Sequence, residues 1–133
     1  MTAIFERVNQ SFVRQGMMQH LNARLVKVEQ GVVEIVLPYS DKVTQQQDGF
    51  HGGAMGAVAD IAGGYAALTV TPEGMEVVTV EYKINFLASF KGGELRATGR
   101  VVKGGKRIIV TTAEVVNVDD EGKTSPCAAM QHT

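Results

Sequence analysis

The sequence predicts an α+β domain in which one antiparallel sheet wraps a single long helix. Two short β-branched runs come first, one long apolar stretch at helical spacing follows, and the rest of the chain reads as strands broken by glycine turns. Helices are too few to alternate with strands in a parallel sheet. With 133 residues, the chain has the length of one ordinary domain. Residues 1–133 are read as a single unit, since no repeat, low-complexity tract or linker divides them.

Each element has its own justification. Between Thr2 and Gln15 the apolar residues Ile4, Phe5, Val8, Phe12 and Val13 recur at three- and four-residue steps. This predicts a short amphipathic helix with Thr2 as N-cap and Gly16 as its stop. Leu25 to Val28 and Val32 to Leu37 flank Gly31 and predict a hairpin. Tyr39 to Phe50 is polar, with three consecutive glutamines before Asp48-Gly49, and predicts a long loop. From His51 to about Val70, Met55, Val58, Ile61, Ala62, Tyr65 and Leu68 keep helical spacing and define the central helix, which Pro72 and Gly74 should end. Strands are then predicted over Val77 to Leu87, Leu95 to Val102, Ile108 to Val118 and Pro126 to Gln131, joined by glycine-containing turns into a meander. In the first of these, Val78, Val80, Tyr82, Ile84 and Phe86 alternate with Thr79, Glu81, Lys83 and Asn85, which puts Thr79 on the polar face.

Composition removes several classes of function. Thirteen Lys and Arg against fourteen Asp and Glu give a net charge of -1, so no basic excess exists to neutralise a phosphate backbone and nucleic acid is not an expected partner. No stretch approaches the roughly 20 apolar residues that cross a bilayer, and the N-terminus lacks a secretory layout. The single cysteine, Cys127, allows no intrachain disulfide or cysteine-rich zinc site and suits a reducing compartment. The expectation is a soluble cytoplasmic protein with no membrane partner, metal or cofactor, in which Cys127 is a small buried hydrophobe.

The central helix carries the chemical signal. It contains Gly52, Gly53, Gly56, Gly63 and Gly64, and each interior glycine costs roughly 0.8–1 kcal/mol relative to Ala. At helical spacing Gly53, Gly56, Asp60, Gly63/Gly64 and Ala67 share one side, so a carboxylate stands in a stripe nearly free of side chains. Such a stripe suits close approach of a ligand or of another helix. At the helix start, Asp48-Gly49-Phe50-His51-Gly52-Gly53 leaves N-terminal amides open to a carbonyl oxygen, the geometry of an oxyanion hole. Gly52 and Asp60 lie eight residues apart, hence about 12 Å along the axis at 1.5 Å per residue. That is too far for both to act on one carbonyl. Two copies of the helix running antiparallel across a two-fold axis would bring Gly52 of one to Asp60 of the other and create two equivalent sites in a homodimer.

These residues resemble a known family. Gln45-Gln46-Gln47-Asp48-Gly49-Phe50-His51-Gly52-Gly53, followed by Val58-Ala59-Asp60 and Ala66-Ala67, is similar to the hotdog-fold acyl-CoA thioesterases of the phenylacetate-degradation (PaaI-like) type, and the order of elements matches along nearly the whole chain. The resemblance implies an antiparallel sheet wrapped around one long central helix, acyl-CoA as substrate, and a homodimer with shared sites that pairs further into a homotetramer. It implies Asp60 as nucleophile or general base, the Gly52 N–H as oxyanion donor, and His51 as the residue that holds the loop and helix start. Thr79 aligns with a hydroxyl that positions the water or the carboxylate. Gln45 stands where many members have Asn, with Gln46 and Gln47 beside it as alternative amides. Gln47, Gly53 and Phe50 are read as substrate-binding, with Met17, Met18, Met55 and Phe86 as further acyl-pocket candidates. The basic turn Lys103-Gly104-Gly105-Lys106-Arg107 is read as a contact for CoA phosphates, as is Lys91.

The residue types fit thioester hydrolysis. A thioester carbonyl needs a donor for its developing oxyanion and a carboxylate that attacks or delivers water, and thiolate leaves without a strong general acid. A non-catalytic acyl-CoA binding or sensing module would share the fold but has no use for a carboxylate beside the carbonyl oxygen. A hotdog hydratase would set a catalytic His opposite an acid, which His51 followed directly by two glycines fits less well. The resemblance favours aryl or hydroxylated aryl acyl groups.

Overall fold

Thr2 caps the first helix as expected. Its hydroxyl accepts from the Phe5 N–H at 3.1 Å, and α1 runs Ala3–Phe12 in the computed structural model, which describes residues 1–133. Gly16 does not end a helix but begins one. Gln15 is extended (φ -81°, ψ 102°) and separates α1 from the short α2, Gly16–His20. Strands β1 (Arg24–Glu29) and β2 (Val32–Pro38) form the predicted hairpin around Gly31, whose φ of +80° is the left-handed conformation that glycine adopts freely. The following loop holds one 3-10 turn at Asp41–Val43 and leads to α3, Gly52–Leu68. This helix ends before Pro72 and Gly74 are reached. The hydroxyls of Thr69 and Thr71 donate to the last-turn carbonyls of Ala66 (2.6 Å) and Ala67 (2.7 Å), and the Arg7 guanidinium ties down the carbonyls of Thr71, Pro72 and Met75 beyond it.

Strands β3 (Tyr82–Phe86), β4 (Glu94–Lys103), β5 (Val110–Val118) and β6 (Thr124–His132) complete a six-stranded antiparallel sheet of order β1-β2-β4-β5-β6-β3. The predicted four-strand meander is thereby corrected: β4, β5 and β6 do follow one another, but β3 pairs with β6 at the far edge and β4 pairs with β2. Gly92-Gly93 is therefore no hairpin turn. The segment after β3 crosses the end of the sheet, and its backbone is held there by bonds from Leu87 N–H to the Cys127 carbonyl, from Phe50 N–H to the Phe90 carbonyl and from Tyr39 N–H to the Gly93 carbonyl. Gly93 (φ +66°) passes against the Val118 carbonyl, where a side chain would not fit.

The chain reaches β3 by way of α3, which packs on the inward face of the sheet. There Val33, Ile35 and Leu37 of β2, Leu95 and Ala97 of β4, Ala113 and Val115 of β5, and Ala128 and Met130 of β6 meet Met55, Val58, Ala59, Ala62 and Ala66 of the helix in one buried cluster. The small residues of α3 allow a short distance to the sheet. Gly99 of β4 lies directly under the Ala62 carbonyl and the Gly63 nitrogen, with no room for a Cβ. Part of the glycine stripe thus serves the chain's own packing: Gly63 faces Thr111 and His132, Gly56 faces the Tyr82 hydroxyl, and Gly52 faces the Phe86 ring. Gly64 faces open space.

Candidate active site

Strand register assembles the polar centre of the molecule. Thr111 pairs with His132, and His132 pairs with Tyr82, so these three stand in one row across the sheet, on the face covered by α3. His132 is 3% exposed. Its Nδ1 lies 2.9 Å from the Thr111 hydroxyl, its ring stacks on Tyr82 at 6.4 Å with planes 16° apart, and its Nε2 lies 2.6 Å from Oδ1 of Asp60.

Thr79 reaches the same carboxylate oxygen: its hydroxyl donates to Asp60 Oδ1 at 2.7 Å and stands 3.1 Å from His132 Nε2. The sequence alternation had assigned Thr79 to a polar outer face, and the structure reverses that. The N–H groups of Val80 and Glu81 both bond to the Thr133 carbonyl, at 2.8 and 3.4 Å. Two consecutive donors on one acceptor form a β-bulge, which turns both side chains outward and inverts the alternation before it. Val78 and Val80 are accordingly 85% and 73% exposed, and Thr79 points in.

The Asp60 side chain is 27% exposed. Burial alone would raise its pKa, but hydrogen bonds from His132 and Thr79, together with the favourable charge interaction with His132, outweigh it and hold the carboxyl below its ordinary value of 3.8. Asp60 is therefore a carboxylate at neutral pH. A depressed folded-state pKa contributes stability that is complete above the unfolded value and is lost as the pH falls through the folded one. Denaturant unfolding measured below pH 3.8 is expected to show a steeper loss of stability for the wild type than for Asp60→Asn. Asp60 Oδ2 has no hydrogen-bond partner in the chain and is not sealed from solvent.

At the start of α3, the imidazole of His51 is the N-cap, accepting from Gly53 N–H through Nδ1 at 2.7 Å. The N–H groups of Ala54 and Met55 bond to the His51 carbonyl at 3.0 and 3.1 Å. Gly52 keeps the one amide of this turn with no acceptor in the chain. Gln45 is half-buried, and its side-chain oxygen accepts from the Gln47 N–H while its amide nitrogen lies against Gly49. Gln46 and Gln47 are exposed. Phe50 is fully buried edge-on to Tyr39, and Met18 and Met55 belong to the same core. Their side chains fill the interior rather than an accessible pocket. Phe86 and Met17 are exposed.

A cleft of about 1120 Å³ opens beside Gly64 and His132, lined also by Thr79, Val80, Lys106 and Arg107. Lys103 is exposed on the same turn but does not line it. A smaller pocket of about 160 Å³ adjoins it at Gly64, Val77 and Thr79 and contains Asp60, with Ser11, Gln15 and Tyr65 forming its far wall. No three His, Cys, Asp or Glu side chains cluster as a metal site would require. Burial pushes the Cys127 thiol up to about 11, so it is not a nucleophile at neutral pH.

His132 is the residue that sequence reasoning missed. It lies 72 positions from Asp60, and only the pairing of β6 with both β3 and β5 brings it under the helix. A histidine in an otherwise small and apolar final strand was the available signal.

Residues 49–123 match the sequence profile of the thioesterase superfamily. The chain is 34% identical over 116 residues to a protein of Saccharolobus solfataricus provisionally named an esterase, covering 87% of this chain and 78% of that protein. It superposes on a thioesterase family protein from Silicibacter pomeroyi with a TM-score of 0.93 and 35% identity, covering 98% of this chain and 95% of the other. It shares its fold with the PaaI protein of the E. coli phenylacetic acid degradation operon, with a TM-score of 0.84 and 23% identity over 97% of this chain and 89% of that one.

Proposed function

The chain belongs to the thioesterase superfamily, a thioester hydrolase with the hotdog fold and PaaI-like motifs, and from that premise we propose that it hydrolyses acyl-CoA thioesters to free acid and CoA. The observation that carries this reading is the Asp60 carboxylate, held ionised by His132 and Thr79 with one oxygen left open beside a cleft. In the general-base route, Oδ2 takes a proton from water as the water oxygen bonds to the thioester carbon; the C–S bond then breaks and the CoA thiolate takes up a proton. In the nucleophilic route Oδ2 itself bonds to the carbon, thiolate leaves, and water cleaves the resulting anhydride. Both routes develop negative charge on the carbonyl oxygen. The free Gly52 amide suits that charge, a contribution of about 3–4 kcal/mol in comparable sites.

Gly52 and Asp60 of one chain are separated by about 12 Å of helix, so the proposed site takes its oxyanion donor from a second subunit. Strand β3 supports a homodimer, because it is an uncovered sheet edge with Val78, Val80, Phe86 and Leu87 exposed along it and its approaches. Further pairing into a homotetramer follows the PaaI-like pattern. The whole of residues 1–133 acts as one catalytic domain in this reading. No helix is long and apolar enough to cross a membrane, and the free thiol of Cys127 suits a cytoplasmic location.

The test is thiol release from a panel of acyl-CoAs running from acetyl to long-chain and including phenylacetyl and benzoyl, with Asp60→Asn as control. Binding of CoA esters without release would instead favour an acyl-CoA binding module. Lys106 and Arg107 are assigned to the CoA phosphates. Replacing both by Ala is expected to raise KM for acyl-CoA about tenfold, equivalent to roughly 1.4 kcal/mol. The KM for the matching N-acetylcysteamine thioester, which carries no phosphate, should stay within about twofold, and steady-state kinetics on the two substrates checks it.

A further inference from the structure

We propose that His132 is a positioning residue for the hydrolytic carboxylate: with Thr79 it fastens Oδ1 of Asp60, and so makes Oδ2 the oxygen that meets water or the thioester. The inference rests on the reading that Asp60 performs hydrolysis, and it concerns a residue outside the motif that identifies the family. Two donors converge on one oxygen, Nε2 at 2.6 Å and the Thr79 hydroxyl at 2.7 Å, while no donor in the chain reaches Oδ2. A carboxylate held through one oxygen cannot rotate to exchange the two, so its plane is fixed before substrate arrives.

The imidazole is itself held. Thr111 meets Nδ1 at 2.9 Å, which fixes the orientation of the ring so that Nε2 faces Asp60. Tyr82 stacks on one face of the ring, and Gly63 lets the ring lie directly under α3, since an added Cβ there would stand 3.2 Å from Nδ1. The ionisable groups around Asp60 are His132 from β6, Glu76 from the segment after α3 and Tyr65 on α3 itself, while α1 contributes the uncharged Ser11 and Gln15. Of these ionisable groups only His132 hydrogen-bonds the carboxylate, a bond reinforced by the charge of its acceptor.

The experiment compares wild type, His132→Leu and His132→Gln by two readouts. The first is the titration of the Asp60 carboxyl, followed by NMR in protein carrying carboxyl-labelled aspartate. Loss of the donor while burial persists should move the midpoint upward in His132→Leu, and Gln, which keeps an N–H donor, should return it toward the wild-type value. The second is steady-state kinetics. His132→Leu should lower kcat about 10- to 100-fold, the range found when an outer hydrogen-bond partner that orients a metal-ligating side chain is removed, with KM within about threefold, and Gln should recover at least tenfold of a full loss. An unchanged titration and unchanged kcat in a folded His132→Leu protein would overturn the proposal, as would Gln and Leu variants equally impaired and equally lowered in Tm. A wild type that hydrolyses no thioester overturns the proposed function instead, and the Asp60 titration still decides whether His132 holds the carboxylate.

Discussion

Asp60→Asn is expected to reduce kcat for acyl-CoA hydrolysis by about 10³-fold while leaving the fold intact. The amide oxygen of Asn can still accept from the Thr79 hydroxyl and from His132 Nε2, the two bonds that Asp60 Oδ1 makes now. What changes is the other atom. An NH₂ group in place of Oδ2 can neither attack a thioester carbon nor take a proton from water, and a positioned base is worth about 10²–10⁴-fold in rate. KM should change little, because the cleft residues Lys106 and Arg107 and the α3 N-terminus are untouched. Thiol release under saturating substrate gives kcat, and a thermal scan of the same sample shows that the loss is chemical. A variant that keeps a tenth of wild-type kcat would remove Asp60 from the reaction.

Gly99→Ala is expected to have the largest effect on stability. An added methyl group would meet the Ala62 carbonyl and stand 2.6 Å from the Gly63 nitrogen, both backbone atoms in the middle of α3. Neither can rotate aside, so the helix must lift from the sheet or β4 must bend. Overpacking of this kind costs about 1–3 kcal/mol, and more where only backbone can yield. For a chain of this length a cost of about 3 kcal/mol corresponds to a fall in Tm of roughly 6–15 °C. Thermal unfolding followed by circular dichroism measures it. The substitution should also lower kcat, since Gly63 lies over Thr111 and His132 and a lifted helix draws Asp60 away from its partners. By contrast, an added Cβ at Gly64, on the helix that Gly99 packs against, meets no atom within 4 Å, so Gly64→Ala serves as the stability control.

The parts of this molecule that could be read in advance are those determined by neighbours in sequence. The Thr2 cap, the hairpin around Gly31 and the length of α3 follow from local spacing. Asp60 also stood out locally, as a carboxylate in a run of glycine and alanine, and His51-Gly52-Gly53 marked the helix start that His51 caps. The parts that could not be read depend on pairing at a distance. A strand sequence does not state its partner, so β3 was placed beside β4 although it lies at the edge against β6. That edge position creates the row Thr111, His132 and Tyr82. Phe50 shows the reverse problem: its place beside the motif suggested contact with substrate, but a large apolar ring at the mouth of a buried helix is drawn into the core against Tyr39.

The bulge at Val80 and Glu81 makes the identity of the Asp60 partner a matter of counting. Side chains alternate along a strand, so whether a hydroxyl or a valine meets the carboxylate depends on the parity of the residues between Asp60's neighbour and the point where β3 enters its regular ladder. Removing a single residue there would leave composition almost unchanged yet exchange the two faces, presenting apolar side chains to Asp60 and turning Thr79 to solvent. Relatives that differ by one insertion before this strand would then carry an equivalent hydroxyl at a shifted sequence position, and comparison by three-dimensional placement would identify it where comparison by column would not. The same arithmetic gives a designer a switch: one deleted residue would exchange a hydroxyl for an apolar side chain beside Asp60 without substituting any other position.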